Sequence, residues 1–66
     1  MSPEDILWRI IERLEESRTI LSEVLADLHP RRDKELIDAL TEVEQLTQTQ
    51  LNICRRVQRR LERGHI

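Results

Sequence analysis

Sixty-six residues, with a single cysteine and one aromatic side chain, Trp8, set narrow limits. One domain at most fits this length, no intrachain disulfide can form, and so short a chain rarely builds a sufficient core without a partner or a cross-link. The net charge of −2 is unevenly spread: seven acids against Arg9, Arg13 and Arg18 give −4 over residues 1–29, five acids against three bases give −2 over 30–50, and five Arg against Glu62 give +4 over 51–66.

Leu, Ile, Glu and Arg dominate, the composition of helical bundles and coiled coils. No apolar stretch reaches signal-peptide or membrane-spanning length. A cytoplasmic protein with no membrane contact is expected.

Helix 1 is predicted over about 3–28. Ser2 can cap it, Pro3 suits the first turn, and Asp5 completes a Ser-x-x-Asp capping box. Glu4 and Asp5 complement the positive end of the helix dipole. Leu7, Leu14, Leu21 and Leu28 recur every seven residues, with Ile10, Ile11, Val24 and Leu25 beside them and Ile6 and Ile20 on the flank. This arc covers about half the circumference, wider than a two-stranded seam, so helix 1 should touch more than one neighbour. Ser17 and Arg18 interrupt the arc. The stem of Arg18 is expected to cover Leu14 and Leu21 while its guanidinium reaches water or Glu44. A DNA-binding zipper is disfavoured, because its basic region would precede the leucines and the residues before Leu7 are acidic.

His29-Pro30 ends the first helix, and a turn at about 29–32 follows. Helix 2 is predicted over about 33–63. Asp33 is the preferred N-cap over a start at Pro30, because Arg31 and Arg32 oppose the dipole at a helix N-terminus. Gly64 is read as the C-terminal cap, with Arg59, Arg60 and Arg63 suiting the negative end. Leu36, Val43, Gln50 and Val57 form one row on this helix; Leu40, Thr47, Cys54 and Leu61 form the next. Ala39, Leu46, Leu51 and Ile53 widen the stripe.

The expected fold is all-α, an antiparallel helical hairpin. Folding it pairs residues whose numbers sum to about 60 or 61, setting Val24 against Leu36, Ser17 against Val43, Leu14 against Thr47 and Ile10 against Gln50. Each hairpin would keep a half-open arc, so two are expected to close a four-helix bundle, or more to form a larger helical oligomer. The expected interface comprises Leu7, Ile10, Ile11, Leu14, Ser17, Leu21, Val24, Leu25 and Leu28 with Leu36, Leu40, Val43, Thr47, Gln50, Cys54, Val57 and Leu61. This layout resembles that of Rop-type hairpin dimers in length and topology alone. No motif is shared, and no residue role or function carries over.

Within LTQTQLNICRR, residues 46–56, helical spacing turns Gln48, Thr49 and Asn52 outward and Thr47, Gln50 and Cys54 inward. Buried Thr47 and Gln50 would form a polar layer that fixes register and partner number, as a buried amide does in coiled coils.

Catalytic chemistry is not expected, and neither a metal nor a cofactor is implied. Cys54 has no His at its level to act as a base, so an inert seam thiol is the reading; a symmetric disulfide would need a two-fold axis close by. Glu62-x-x-His65 has a metal-ligand spacing, but Gly64 interrupts it and no second copy exists. Trp8 lies outside the leucine arc among Glu4, Glu12 and Glu15, either an ordinary surface aromatic or an anchor for a partner. Arg55, Arg56, Arg59, Arg60 and Arg63 could grip phosphates, which gives nucleic-acid binding as the alternative function. Against it stand the acidic balance and the lack of stacking aromatics. The preferred function is a non-enzymatic interaction module that forms a homodimer, in a natural adaptor or regulator or a designed assembly. A co-chaperone masking another protein's helix is a further alternative. Clean caps fit deliberate patterning; the stray Cys, the ten Arg to one Lys and the TQTQ run do not.

Overall fold

The computed structural model describes residues 1–64. Two helices make up nearly all of it: α1, Pro3–Asp27, and α2, Lys34–Gly64. No strand occurs among the described residues, and no helix is long and apolar enough to cross a membrane. The helices run antiparallel. Ser22 bonds Glu44, Arg18 bonds Gln48 and Arg55 bonds Glu15, so numbers fall along α1 as they rise along α2. The hairpin measures 53 × 16 × 14 Å, with a Cα radius of gyration of 15.4 Å. A compact domain of this length would have about 11 Å.

α1 starts as its first residues dictate. Ser2 is extended, with φ −81° and ψ 159°, and its Oγ accepts a hydrogen bond from Asp5 N at 3.2 Å. Pro3 takes the first helical position, where its missing N–H leaves nothing unsatisfied.

The hinge is wound earlier than the Asp33 cap implies. Asp33 N donates to His29 O at 2.9 Å, so residues 30–33 already form a helical turn ahead of α2. His29 is the residue that caps it. Its Nδ1 accepts from Arg31 N and Arg32 N, each at 3.2 Å, and Asp33 Oδ2 reaches back to accept from His29 N at 2.8 Å. This is the reciprocal logic of a capping box, with imidazole in place of a hydroxyl. Pro30 sits just after the cap, where proline is favoured. Two satisfied amides outweigh the modest dipole penalty of Arg31 and Arg32, which is on the order of 0.3–1 kcal/mol per charge. His29→Ala should lower stability by about 1 kcal/mol, and His29→Asn should recover most of it. Urea unfolding of the two variants checks this; equal midpoints for wild type and alanine would remove the cap. At the other end, Gly64 is the last residue of α2 and has no positive φ. It extends the helix instead of ending it in a left-handed cap.

The seam between the helices is narrower than the sequence arc. On α1 the residues held from solvent are Glu4, Leu7, Ile11, Leu14, Arg18, Leu21 and Leu25, continued by Leu28 just past its end. They step by three and four, the spacing of a two-stranded coiled coil. α2 answers with Ile37, Leu40, Glu44, Thr47, Leu51, Cys54, Gln58 and Leu61 on the same spacing. Only Ile11, Thr47 and Leu51 are buried among the described residues, at 8 %, 6 % and 0 % exposure.

The register also differs from the simple folded pairing. Arg18 with Gln48, and Ser22 with Glu44, each sum to 66. Helix side chains lean toward their own N-terminus, so in an antiparallel pair each touching residue lies about one position C-terminal to the level at which they meet, which raises the sum by about two. The long arms of Arg18 and Glu44 add the rest.

Candidate interaction face

The seam divides the hairpin into two unlike flanks. On one flank, polar side chains bridge the helices. Ser22 Oγ donates to Glu44 Oε2 at 3.2 Å. Arg18 donates to Gln48 Oε1 at 2.7 Å, and Gln48 Nε2 donates to Asn52 Oδ1 at 3.0 Å. Arg55 pairs with Glu15 at 2.9 Å. Gln48, expected outside the bundle, is therefore a half-buried cross-helix partner. Arg18 finds it in place of Glu44, which is bonded by Ser22. Trp8, with 59 % of its surface exposed, lies on this polar flank by helical spacing with Glu12, Glu15 and Thr19.

The other flank is apolar and uncovered. Ile10, Val24, Leu36 and Val43, which the simple pairing placed between the helices, are 39–48 % exposed. Ser17 and Gln50 are exposed beside them. At 100° per residue they share one face of the hairpin. An open groove of about 370 Å³ runs down that face between Leu14, Ser17, Ile20 and Leu21 of α1 and Val43, Thr47 and Gln50 of α2. Leu46 and Ile53 continue the apolar row at its outer edge, at 58 % and 48 % exposure. The wide arc in the sequence is thus two stripes, one spent on the sister helix and one left over.

Thr47 and Gln50, adjacent in the expected polar layer, are separated. Thr47 is buried, and its Oγ1 donates to Val43 O of its own helix at 2.8 Å. It needs no partner from another chain. Gln50 faces the open groove.

The remaining candidate residues fall as follows. Cys54 is a free, half-buried seam thiol. Arg56, Arg59, Arg60 and Arg63 are exposed and pair with no acid among the described residues, whereas Arg55 is engaged by Glu15. His65 of the Glu62-x-x-His65 spacing lies outside the described residues. Among the described residues no three His, Cys, Asp or Glu side chains converge as a metal site would require.

Sequence reasoning passed over Ile37, a half-buried seam residue, and Gln58. The signal was present: Ile37, Glu44, Leu51 and Gln58 repeat every seven residues. Two polar members hid the row from a search for apolar periodicity.

No protein-family model, curated protein or solved structure matches the chain.

Proposed function

We propose that this chain is a non-enzymatic protein-interaction module whose hairpins self-associate through the uncovered face, two of them closing a four-helix bundle. The observation that carries this reading is the row of exposed apolar side chains on one face, Ile10, Val24, Leu36, Val43, Leu46 and Ile53. A compact monomer of 7.9 kDa would expose about 4,400 Å², whereas this hairpin exposes 5450 Å². The excess, about 1,000 Å², matches the area each partner contributes to a stable interface, about 800 Å². One fully buried side chain, Leu51, is also a thin core for a folded domain, and a second layer of helices supplies the missing burial.

Size-exclusion chromatography with light scattering tests the reading. A species of twice the 7.9 kDa chain mass is expected at micromolar concentration. A stably folded monomer would sink it, and would turn attention to a different helical protein as the occupant of the face.

A second reading rests on the exposed, unpaired Arg56, Arg59, Arg60 and Arg63. Such a cluster is suited to phosphates. Titration with duplex DNA and RNA at two salt concentrations separates the readings, since phosphate binding must weaken as salt rises.

A further inference from the structure

We infer that the uncovered face is a second helix-packing seam covered by a second copy of this chain, and that Ser17 and Gln50 of both copies meet at its centre as a polar layer that holds the assembly to two chains. This rests on the self-association proposed above and specifies what limits it to one partner.

Each seam row has a twin one position earlier in the chain. On α1 the twin row is Ile6, Ile10, Arg13, Ser17, Ile20 and Val24. On α2 it is Ala39, Val43, Leu46, Gln50, Ile53 and Val57. Both rows step by three and four, as a coiled-coil seam does. One residue is a turn of 100° about a helix. The helices are antiparallel and both rows step toward the N-terminus, so the two turns run in opposite senses and bring both rows to the same flank. Every member is exposed except Val57, which is half-buried. A helix with two such seams is patterned for two neighbours, and the hairpin provides one.

The two rows form a ladder. Ile6 stands level with Val57, Ile10 with Ile53, Arg13 with Gln50, Ser17 with Leu46, Ile20 with Val43 and Val24 with Ala39. Each pair is equally far from Arg31 at the hinge, to within one residue. Ser17, Ile20, Val43 and Gln50 line one groove at the middle of this ladder. The order along the face is two apolar layers, two layers that contain polar side chains, and two apolar layers. It reads the same from either end. A closed pair of identical chains needs a self-complementary surface, and this order supplies one. Whether the two hinges lie together or at opposite ends, apolar layers meet apolar layers and the polar centre meets itself. An unlike partner imposes no such symmetry.

Of the polar residues at the centre, Arg13 turns to Glu16 at 3.1 Å with 81 % of its side chain exposed, and it stays on the rim. Ser17 and Gln50 differ from the polar residues around them. Thr19, Thr47 and Thr49 each donate to a carbonyl one turn back, and Gln48 bridges Arg18 and Asn52. Ser17 and Gln50 bond no described residue. Covered by a second copy they lose water, and the groups within reach are the partner's Ser17 and the partner's Gln50. A leucine at position 50 would pack more tightly. A buried amide lowers affinity but must find a matching polar group, which fixes register and partner number.

Sedimentation velocity over a range of concentrations tests this on the wild type, Gln50→Leu and Ser17→Ala/Gln50→Leu. The wild type is expected as a single dimeric species. Both variants should associate at least about tenfold more tightly and no longer stop at the dimer. Variants that stop at the dimer, or that bind more weakly than the wild type, would overturn the polar layer and leave self-association standing. A wild type that stays monomeric would overturn self-association, and the inference with it. Nuclear magnetic resonance of the wild type gives a readout free of any effect of substitution on folding. The side-chain amide protons of Gln50 should exchange with water at least about tenfold more slowly in the dimer than those of Gln45, which is exposed on the outer side of α2. Equal rates would show Gln50 in solvent and overturn the proposal.

Discussion

Leu51→Ala should cost about 2–5 kcal/mol of stability, the range for truncating a fully buried leucine. A chain of 66 residues has little more than that to lose, so much of the population should unfold at room temperature. Leu51 is fully buried, at 0 % exposure, on the same α2 seam as buried Thr47. It belongs to the row Ile37, Glu44, Leu51 and Gln58, whose other members are half-buried. Removing it leaves a cavity at the middle of the seam. Urea unfolding followed by circular dichroism, at fixed protein concentration because association would add to stability, reads the effect. A loss below about 1 kcal/mol would mean that the seam is not closed around Leu51.

Val43→Asp should abolish association in the micromolar range. Val43 is 44 % exposed in the single hairpin, so the change is mild for a lone chain. Across a bundle interface it buries a carboxylate with no partner, a penalty of several kcal/mol, or a thousandfold or more in affinity. Helix content should fall with it, because the remaining core is thin. Thr41→Asp, exposed and on the polar flank by its spacing, is the matched control and should leave the dimer intact. If Val43→Asp dimerises as wild type does, the uncovered face is not the interface.

Much of the fold was legible in the residues. Ser2, Pro3 and Asp5 mark the start of α1 because each meets a backbone need local to the first turn. His29-Pro30 marks the hinge because proline restricts the residue before it. α2 starts at Lys34, directly after Asp33, but preferring Asp33 to a start at Pro30 left the turn over residues 30–33 out of account. That preference weighed charges against the dipole and overlooked the imidazole as an acceptor for two amides.

The candidate face was half legible. The sequence carries enough apolar positions for two stripes, and Val24, Leu36 and Val43 were among those named. Their assignment to the hairpin seam was wrong, because a half-circumference arc admits several rotations of one helix against the other. The TQTQ run shows how finely that rotation matters: Thr47 is buried in the seam, Gln48 bridges to Arg18, Thr49 is exposed, and Gln50 lines the open groove. Four adjacent residues meet four environments.

The sequence by itself determined two helices, the cap of the first and their joint, since these depend on interactions within a few residues of chain. Only the tertiary structure decided which stripe the sister helix covers. One flank of the chosen seam is bridged by Arg18 to Gln48, Ser22 to Glu44 and Arg55 to Glu15. These long-range polar bonds accompany the rotation that buries Ile11, Thr47 and Leu51, and a pattern of apolar residues does not encode them.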